Sequence, residues 1–392
     1  MTLITTLYRL GTALAAPLLP ALLRRRARAG KEDPARLSER LGHASTPCPS
    51  GPLVWLHGAS LGESVALRQL LPLFPDANVL VTTQTLSSAE VWARDLPSRT
   101  VHQFAPLDTP ASAARFLDHW QPDLAVFAES EIWPNLLAEL KRRGTPAALV
   151  NARLNPASLA RWNNRPRTAR EVFSAFDLLL AADAPTAEAL AKVLGRPVPL
   201  LGNLKHAAAP APDLAEAARI RAAFGTTPII CFASLHAEEA NLPDTLPDLA
   251  RIVVPRHPGA FPASDFPRRS TGALPLPGPT AYLWDTFGEM ATAMAAADVV
   301  VVGGSFRDGL KGHNPVEALS LRKPVFSGPH VTSFQSTYDA LWQATDTGPI
   351  ADLSTVASAQ WTPAHDRFLA GLPDTRSLYA DALEPLIAKA LP

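Results

Sequence analysis

The chain has 392 residues, 47% hydrophobic and 18% charged, which is too long for one ordinary compact domain and suggests two. Lys+Arg and Asp+Glu both number 36, and the resulting zero net charge disfavours a wholly basic nucleic-acid binder. Cys48 and Cys231 are the only cysteines, so there is no disulfide framework or cysteine-rich zinc site, which fits a reducing compartment.

Leu3 to Leu23 is mostly apolar, interrupted by Arg9, Pro17 and Pro20, and Arg24, Arg25, Arg26 and Arg28 follow at once. A spanning helix needs roughly 20 apolar residues, so the length only just suffices. A cleaved signal peptide carries its positive charges before the apolar stretch, and here the main cluster comes after. For residues 1–30 the expectation is a helix lying in or just penetrating a bilayer, its basic end on anionic headgroups. An amphipathic helix packed on the protein itself is the alternative.

From residue 52 onward, short apolar runs alternate with helical stretches. Pro52–His57 reads as a buried strand, followed by a small-residue loop and a helix over Ser64–Phe74. Val79–Thr83, Leu124–Ala128, Ala147–Asn151 and Leu178–Ala182 read as further strands, with helices over Ser87–Leu96 and from Pro134 to Arg143. The alternation predicts parallel strands with helical crossovers, a Rossmann-like domain over residues 31–205. Ala207–Pro212 looks like a linker, placed at 206–225. The pattern then restarts with strands at Ile229–Ala233, Arg251–Pro255, Asp298–Val302 and Lys323–Phe326, a second Rossmann-like domain over 226–375. Residues 376–392 read as a helix that docks back on the N-terminal domain. Two α/β domains facing each other make a cleft, and ligands of such sheets bind outside the carboxyl ends of the strands.

The residues just after each strand are therefore the candidates. His57-Gly58-Ala59-Ser60-Leu61-Gly62-Glu63 follows the first strand, and Glu63 at the start of a helix can take a proton as a general base. An ordinary helix N-cap region explains the same residues. The serine lacks the neighbours of a hydrolase nucleophile elbow. Glu129-Ser130-Glu131-Ile132-Trp133-Pro134-Asn135 places two carboxylates at a strand end, which is costly unless they bind something polar. Trp133 there can face a sugar ring, though a lone tryptophan more often covers the core. Arg256-His257-Pro258 puts a guanidinium where it can hold a phosphate bidentately; a surface arginine beside a proline turn is the plainer account.

Gly303-Gly304-Ser305-Phe306 and then Gly312-His313-Asn314-Pro315-Val316-Glu317 follow another strand. The glycines let backbone approach a ligand closely, and Asn314 and Pro315 suit N-cap and first helical positions. Such a helix start favours a phosphate, and Glu317 can accept from ribose hydroxyls. A capped loop with a dipole-stabilising glutamate fits equally well. No HExxH-type spacing makes His236 and His257 metal ligands.

Taken together and in order, these stretches resemble the Kdo transferases of lipopolysaccharide assembly, Kdo being an acidic eight-carbon sugar. The resemblance runs from Ser38-Glu39-Arg40-Leu41-Gly42 through HGASLGE, the Thr82–Thr85 segment TTQT, ESEIWPN, NARL, GNLK, PRHP and Trp284-Asp285-Thr286. It ends in GGSF, GHNPVEAL and Ser327-Gly328-Pro329-His330. It implies a GT-B fold and an inverting transfer from CMP-Kdo to a lipid A precursor, with no active-site metal and no cofactor beyond the co-substrate. Glu63 then matches the catalytic base. Arg256, His257, Lys205, Gly304, Ser305, His313, Asn314 and Glu317 match the donor-binding set. Ser60, Glu129 and Glu131 fall on the acceptor side. The implied location is the cytoplasmic face of the bacterial inner membrane. Ser234-Leu235-His236-Ala237-Glu238-Glu239 departs from the family pattern by one residue, and His206-Ala207 replace the usual Phe-Asp. The rival readings are a UDP-sugar GT-B transferase or epimerase, and a non-catalytic membrane-bound carbohydrate-binding protein.

Overall fold

The computed structural model describes residues 1–94, 96–204, 211–372 and 374–391, apart from the side chains at 61, 65 and 94. The chain divides into two compact units, Met1–Ala207 with Asp374–Pro392, and Ala208–Pro373.

The first unit is built on six parallel strands: β1 (Leu53–His57), β2 (Asn78–Thr83), β3 (Thr100–Phe104), β4 (Leu124–Ala128), β5 (Ala147–Ala152) and β6 (Leu178–Ala181). Along β1 side chains alternate between faces, so Leu53 and Trp55 join Phe116, Trp120 and Phe173 in one core layer. Val54 and Leu56 join Leu67, Leu70 and Tyr379 in the other. Helices on both faces explain why β1 and β4 are buried at every residue. The strand order is β3-β2-β1-β4-β5-β6. It reverses direction between β1 and β4, and there the loops after neighbouring strands part.

The second unit repeats the plan with β7 (Ile229–Leu235), β8 (Ala250–Pro255), β9 (Ala281–Leu283), β10 (Val299–Val302) and β11 (Val325–Ser327), ordered β11-β10-β7-β8-β9 and all parallel. Its order reverses between β7 and β10.

Several elements differ from the sequence expectation. β3 and β9 are edge strands that the apolar runs did not mark; β3 carries Thr100, His102 and Gln103, and β9 is only three residues long. The helix expected over Ser64–Phe74 starts earlier, at Leu61, and ends at Arg68, followed by a separate 3-10 turn at Leu71–Leu73 built around Pro72, which has no N–H to donate. Within the stretch expected as a linker, Leu214–Phe224 is a helix capped by Asp213. Its Ala217, Ile220 and Phe224 are buried in the second unit's core, an apolar stripe that a linker lacks.

The C-terminal helix Thr375–Ala390 belongs to the first unit, where Tyr379 and Leu383 are fully buried. At the other terminus, helices Leu3–Ala15 and Leu19–Arg28 are joined by a 3-10 turn at Ala16–Leu18, next to Pro17 and Pro20. Together Leu3–Arg28 is long and apolar enough to cross a membrane, with mean hydropathy 1.3 over 18 consecutive residues. Its polar side faces the protein. Thr2 N–H and the Thr5 hydroxyl donate to Glu171, the Tyr8 hydroxyl donates to Asp108, and Asn135 donates to the Thr12 hydroxyl. Leu3, Leu7, Leu10, Leu14 and Leu18 point away and are exposed.

Candidate active site

At the reversal point of the first unit, Ser60 caps the helix Leu61–Arg68 and Glu63 closes a capping box. Glu63 Oε2 accepts from the backbone N–H of Ala59 at 2.5 Å and of Ser60 at 3.0 Å. Its Oε1 has no hydrogen bond among the described residues and is the atom that can take a proton. Gly58 permits this turn, because a Cβ there would lie 2.9 Å from the Glu63 Cβ. Glu63 is only 8% exposed. Burial raises its pKa, the charges of Glu131 and Glu129 raise it further, and the two backbone bonds oppose them.

Glu131, after β4, is held differently. Its Oε2 accepts from His57 Nε2 at 3.1 Å, Trp133 Nε1 at 2.9 Å and Gln84 Nε2 at 3.3 Å. Burial works to raise its pKa, but those donors outweigh it and hold the carboxyl below its usual value. His57 Nδ1 pairs with the Thr82 hydroxyl 2.8 Å away, and that hydroxyl accepts from Trp55 Nε1. Trp133 thus covers core and also fixes a carboxylate.

Glu129 adopts φ 55° and Asn151, at the end of β5, φ 53°, left-handed conformations that non-glycine residues adopt uncommonly. Surrounding bonds fix them. Asn151 Nδ2 donates to Glu129 Oε1, its Oδ1 accepts from Leu204 N–H, and its own N–H is taken by the Tyr379 hydroxyl, which donates to Gly202 C=O. Ser60, Glu63, Glu129 and Glu131 are therefore brought together at the carboxyl ends of β1 and β4. Lys205 lies outside the described residues.

In the second unit the reversal point gathers His236 after β7, Arg256 and His257 after β8, and the loop after β10. Glu239, fully buried, accepts from the N–H of Gly304 at 2.6 Å, Phe306 at 2.9 Å and His236 at 3.2 Å. The two glycines serve close approach between protein parts: a Cβ on Gly303 would lie 2.8 Å from Leu235 Cα, and one on Gly304 2.7 Å from His313 Nε2. Ser305 is fully buried; its hydroxyl donates to Val302 C=O and accepts from Gly328 N–H, tying β10 to the loop after β11.

His313 and His236 stack, with ring centroids 5.2 Å apart and Nε2 atoms 3.0 Å apart, and His257 meets His236 edge-on at 6.1 Å. Burial, with Arg256 and the other imidazoles, pushes His313 down to about 3. The helix expected to open at Pro315 is short, Val316–Ser320, and Pro315 occupies the cap position. Asn314, expected as the cap, lies one position before it and accepts Val316 N–H at 3.1 Å. Burial raises Glu317, opposed by a hydrogen bond from Asn314 and by the charge of Arg256. Arg256 is exposed, and among the described residues its guanidinium has no hydrogen-bond or ion-pair partner. Arg256, with no ion-pair partner among the described residues, three imidazoles and a short helix start form an anion-accepting surface.

Sequence reasoning did not assign His57, Thr82, Gln84, Asn151, Tyr379 or Glu239. For Glu239 a signal existed: a Glu-rich turn directly after a strand, paired with a glycine loop after another.

The family described as "3-Deoxy-D-manno-octulosonic-acid transferase (kdotransferase)" matches residues 35–208. The chain is 33% identical over 368 residues to the probable mitochondrial 3-deoxy-D-manno-octulosonic acid transferase of Arabidopsis thaliana, covering 86% of this chain and 82% of the relative. It is 32% identical over 336 residues to the 3-deoxy-D-manno-octulosonic acid transferase of Haemophilus influenzae, covering 78% of each. Among solved structures, the glycotransferase of kitacinnamycin aligns at TM-score 0.50 and 13% identity over 88% of this chain and all of that one, a likeness of GT-B fold. With these relatives matched across both units, the chain belongs to the 3-deoxy-D-manno-octulosonic acid transferase family.

Proposed function

We propose that this enzyme transfers Kdo from CMP-Kdo to a lipid A precursor by a single inverting displacement, at the cytoplasmic face of the bacterial inner membrane. The observation that carries the reading is Glu63: a buried carboxylate with raised pKa and an Oε1 that takes no hydrogen bond among the described residues, beside two further carboxylates at a sheet reversal point. As the acceptor oxygen bonds the anomeric carbon, its proton passes to Glu63 Oε1. The bond from that carbon to the CMP phosphate oxygen breaks, and CMP leaves with the electron pair. Arg256 and the Asn314–Glu317 helix start meet the charge growing on CMP, as donors fixed in place before the reaction. No resident metal or cofactor enters this scheme.

Membrane attachment rests on the N-terminal helix. Because its polar face is bonded along the protein surface and its leucines are exposed, the helix lies in the bilayer surface.

The test separates catalysis from folding. Gln at position 63 keeps the capping box, since its amide oxygen accepts the same two N–H groups. Glu63→Gln should lower kcat by about 10²–10⁴-fold with CMP-Kdo binding retained. Turnover near the wild-type rate, read by mass spectrometry of the acceptor, removes Glu63 from the base role.

A further inference from the structure

A groove of about 470 Å³ opens in the first unit between the N-terminal helix and the helices Pro156–Asn163 and Pro166–Phe173. That volume lies within the range of specific small-ligand sites. One wall is Ile4 and Tyr8 of the N-terminal helix, 40% and 38% exposed; the opposite wall is Leu154, Trp162 and Val172. Ile4 sits between Leu3 and Leu7, which are 75% and 57% exposed, so the groove borders the helix's outward apolar side, while Thr5 and Tyr8 line it from the inward polar side. Ser130 and Ile132 also line it, and they flank Glu131 in the chain. The groove therefore runs from the apolar helix to the carboxylate loop after β4.

Arg161, on the helix Pro156–Asn163, and Arg165, just before the helix Pro166–Phe173, stand exposed at the groove. Arg161 donates to the Ser158 hydroxyl, and among the described residues neither guanidinium has a carboxylate partner. Ile4, Ile132, Leu154, Trp162 and Val172 give the groove an apolar wall that suits an alkyl chain, beside polar lining from Thr5, Ser158 and Thr168, and the guanidiniums suit phosphate.

We propose that this groove takes an acyl chain of the anionic glycolipid acceptor while Arg161 and Arg165 hold a phosphate on its headgroup. This rests on the reading that the acceptor is a lipid A precursor. The occupant is an acceptor chain and not bulk lipid, because the groove leads to the carboxylate loop instead of ending on the membrane face. The site makes the acyl chain a recognised part of the substrate, drawn sideways from the bilayer.

The experiment uses the full chain in phospholipid vesicles with CMP-Kdo and two acceptors, the acylated lipid A precursor and its fully deacylated form. Ile4→Trp, which fills the groove from an exposed position, should lower the kcat/KM ratio of acylated to deacylated acceptor about tenfold. Arg161→Ala with Arg165→Ala should raise KM for the phosphorylated acceptor about tenfold while kcat holds. For Ile4→Trp, equal losses on both acceptors or no change overturn the proposal, and so does an unchanged KM in the arginine double variant. A second readout needs no turnover: an acceptor with a photoreactive acyl terminus, mapped by mass spectrometry. It should label residues 1–8 or 154–172, less so in Ile4→Trp. Labelling elsewhere, or competition by plain phospholipid as strong as by unlabelled acceptor, also overturns it. If the wild type fails to transfer Kdo, the functional reading falls, and the labelling still decides the groove.

Discussion

His57 Nε2 lies 3.1 Å from Glu131 Oε2, and this bond separates the roles of two neighbouring carboxylates. Glu131 is held ionised by His57, Trp133 and Gln84, and its fixed charge is one of the forces that raise Glu63. A base whose pKa is raised toward the working pH is a better proton acceptor. Glu131→Gln removes that charge, so the Glu63 pKa should fall. The acid limb of the kcat/KM profile should then shift to lower pH, with a slower plateau. An unmoved limb would show that Glu131 does not act through Glu63.

Glu239 ties the β7 loop to the β10 loop through three backbone N–H groups in a fully buried site. In Glu239→Gln the amide NH2 replaces one accepting oxygen and faces a backbone donor. Leaving such a buried group unsatisfied costs about 1–3 kcal/mol. The expected result is a lower Tm and a raised KM for the donor, since Gly304 and Phe306 lose their anchor. A variant with wild-type Tm and KM would mean the loop holds its shape without this carboxylate.

Sequence patterning revealed the parts whose signals are local. Alternating apolar runs gave both sheets' central strands, because strands covered on two faces are apolar throughout. The Ser60-x-x-Glu63 spacing fits a capping box, although the helix was expected to begin only at Ser64. The edge strands β3 and β9 were missed because one flank lacks a covering partner and the pattern weakens. The support of Glu131 was hidden for another reason: His57, Gln84 and Trp133 come from three separate segments, and only the parallel pairing of β1 with β2 and β4 brings them to one oxygen. Asn151 and Tyr379 are 228 residues apart in the chain, and no spacing rule links them.

That last pair yields a prediction of its own. The Tyr379 hydroxyl accepts from Asn151 N–H and donates to Gly202 C=O, so the C-terminal helix braces two strand-end segments. Tyr379→Phe leaves both backbone groups without their partner at nearly unchanged volume. Hydrogen exchange should quicken at Asn151 and along Thr375–Ala390, and Tm should fall. Unaltered exchange at Asn151 would show that the hydroxyl is not what holds it.

His313 links acidity to stability in the second unit. Its folded pKa is about 3, against an ordinary value of 6.5, because burial and nearby Arg256 disfavour the imidazolium. Between those values the unfolded chain binds a proton that the folded chain does not, so stability falls as pH drops from about 6.5 toward 3. His313→Gln should flatten this part of the curve. Denaturant midpoints at pH 7 and pH 5 give the comparison, and an equal drop in variant and wild type contradicts it.

The N-terminal helix has its amphipathicity turned inside out relative to a soluble protein: Thr2, Thr5, Tyr8 and Thr12 face the body, and leucines face outward. In water this exposes a long apolar stripe, and in a bilayer surface it buries one. Leu7→Asp with Leu14→Asp changes only outward positions and leaves the Tyr8 to Asp108 and Thr12 to Asn135 bonds untouched. Sedimentation with anionic vesicles should fall by an order of magnitude or more while the thermal transition stays in place. The basic residues Arg24, Arg25 and Arg28 then make the remaining binding more salt-sensitive, because headgroup attraction is screened and apolar insertion is not. If the double variant sediments as the wild type does, the outward leucines are not the membrane contact.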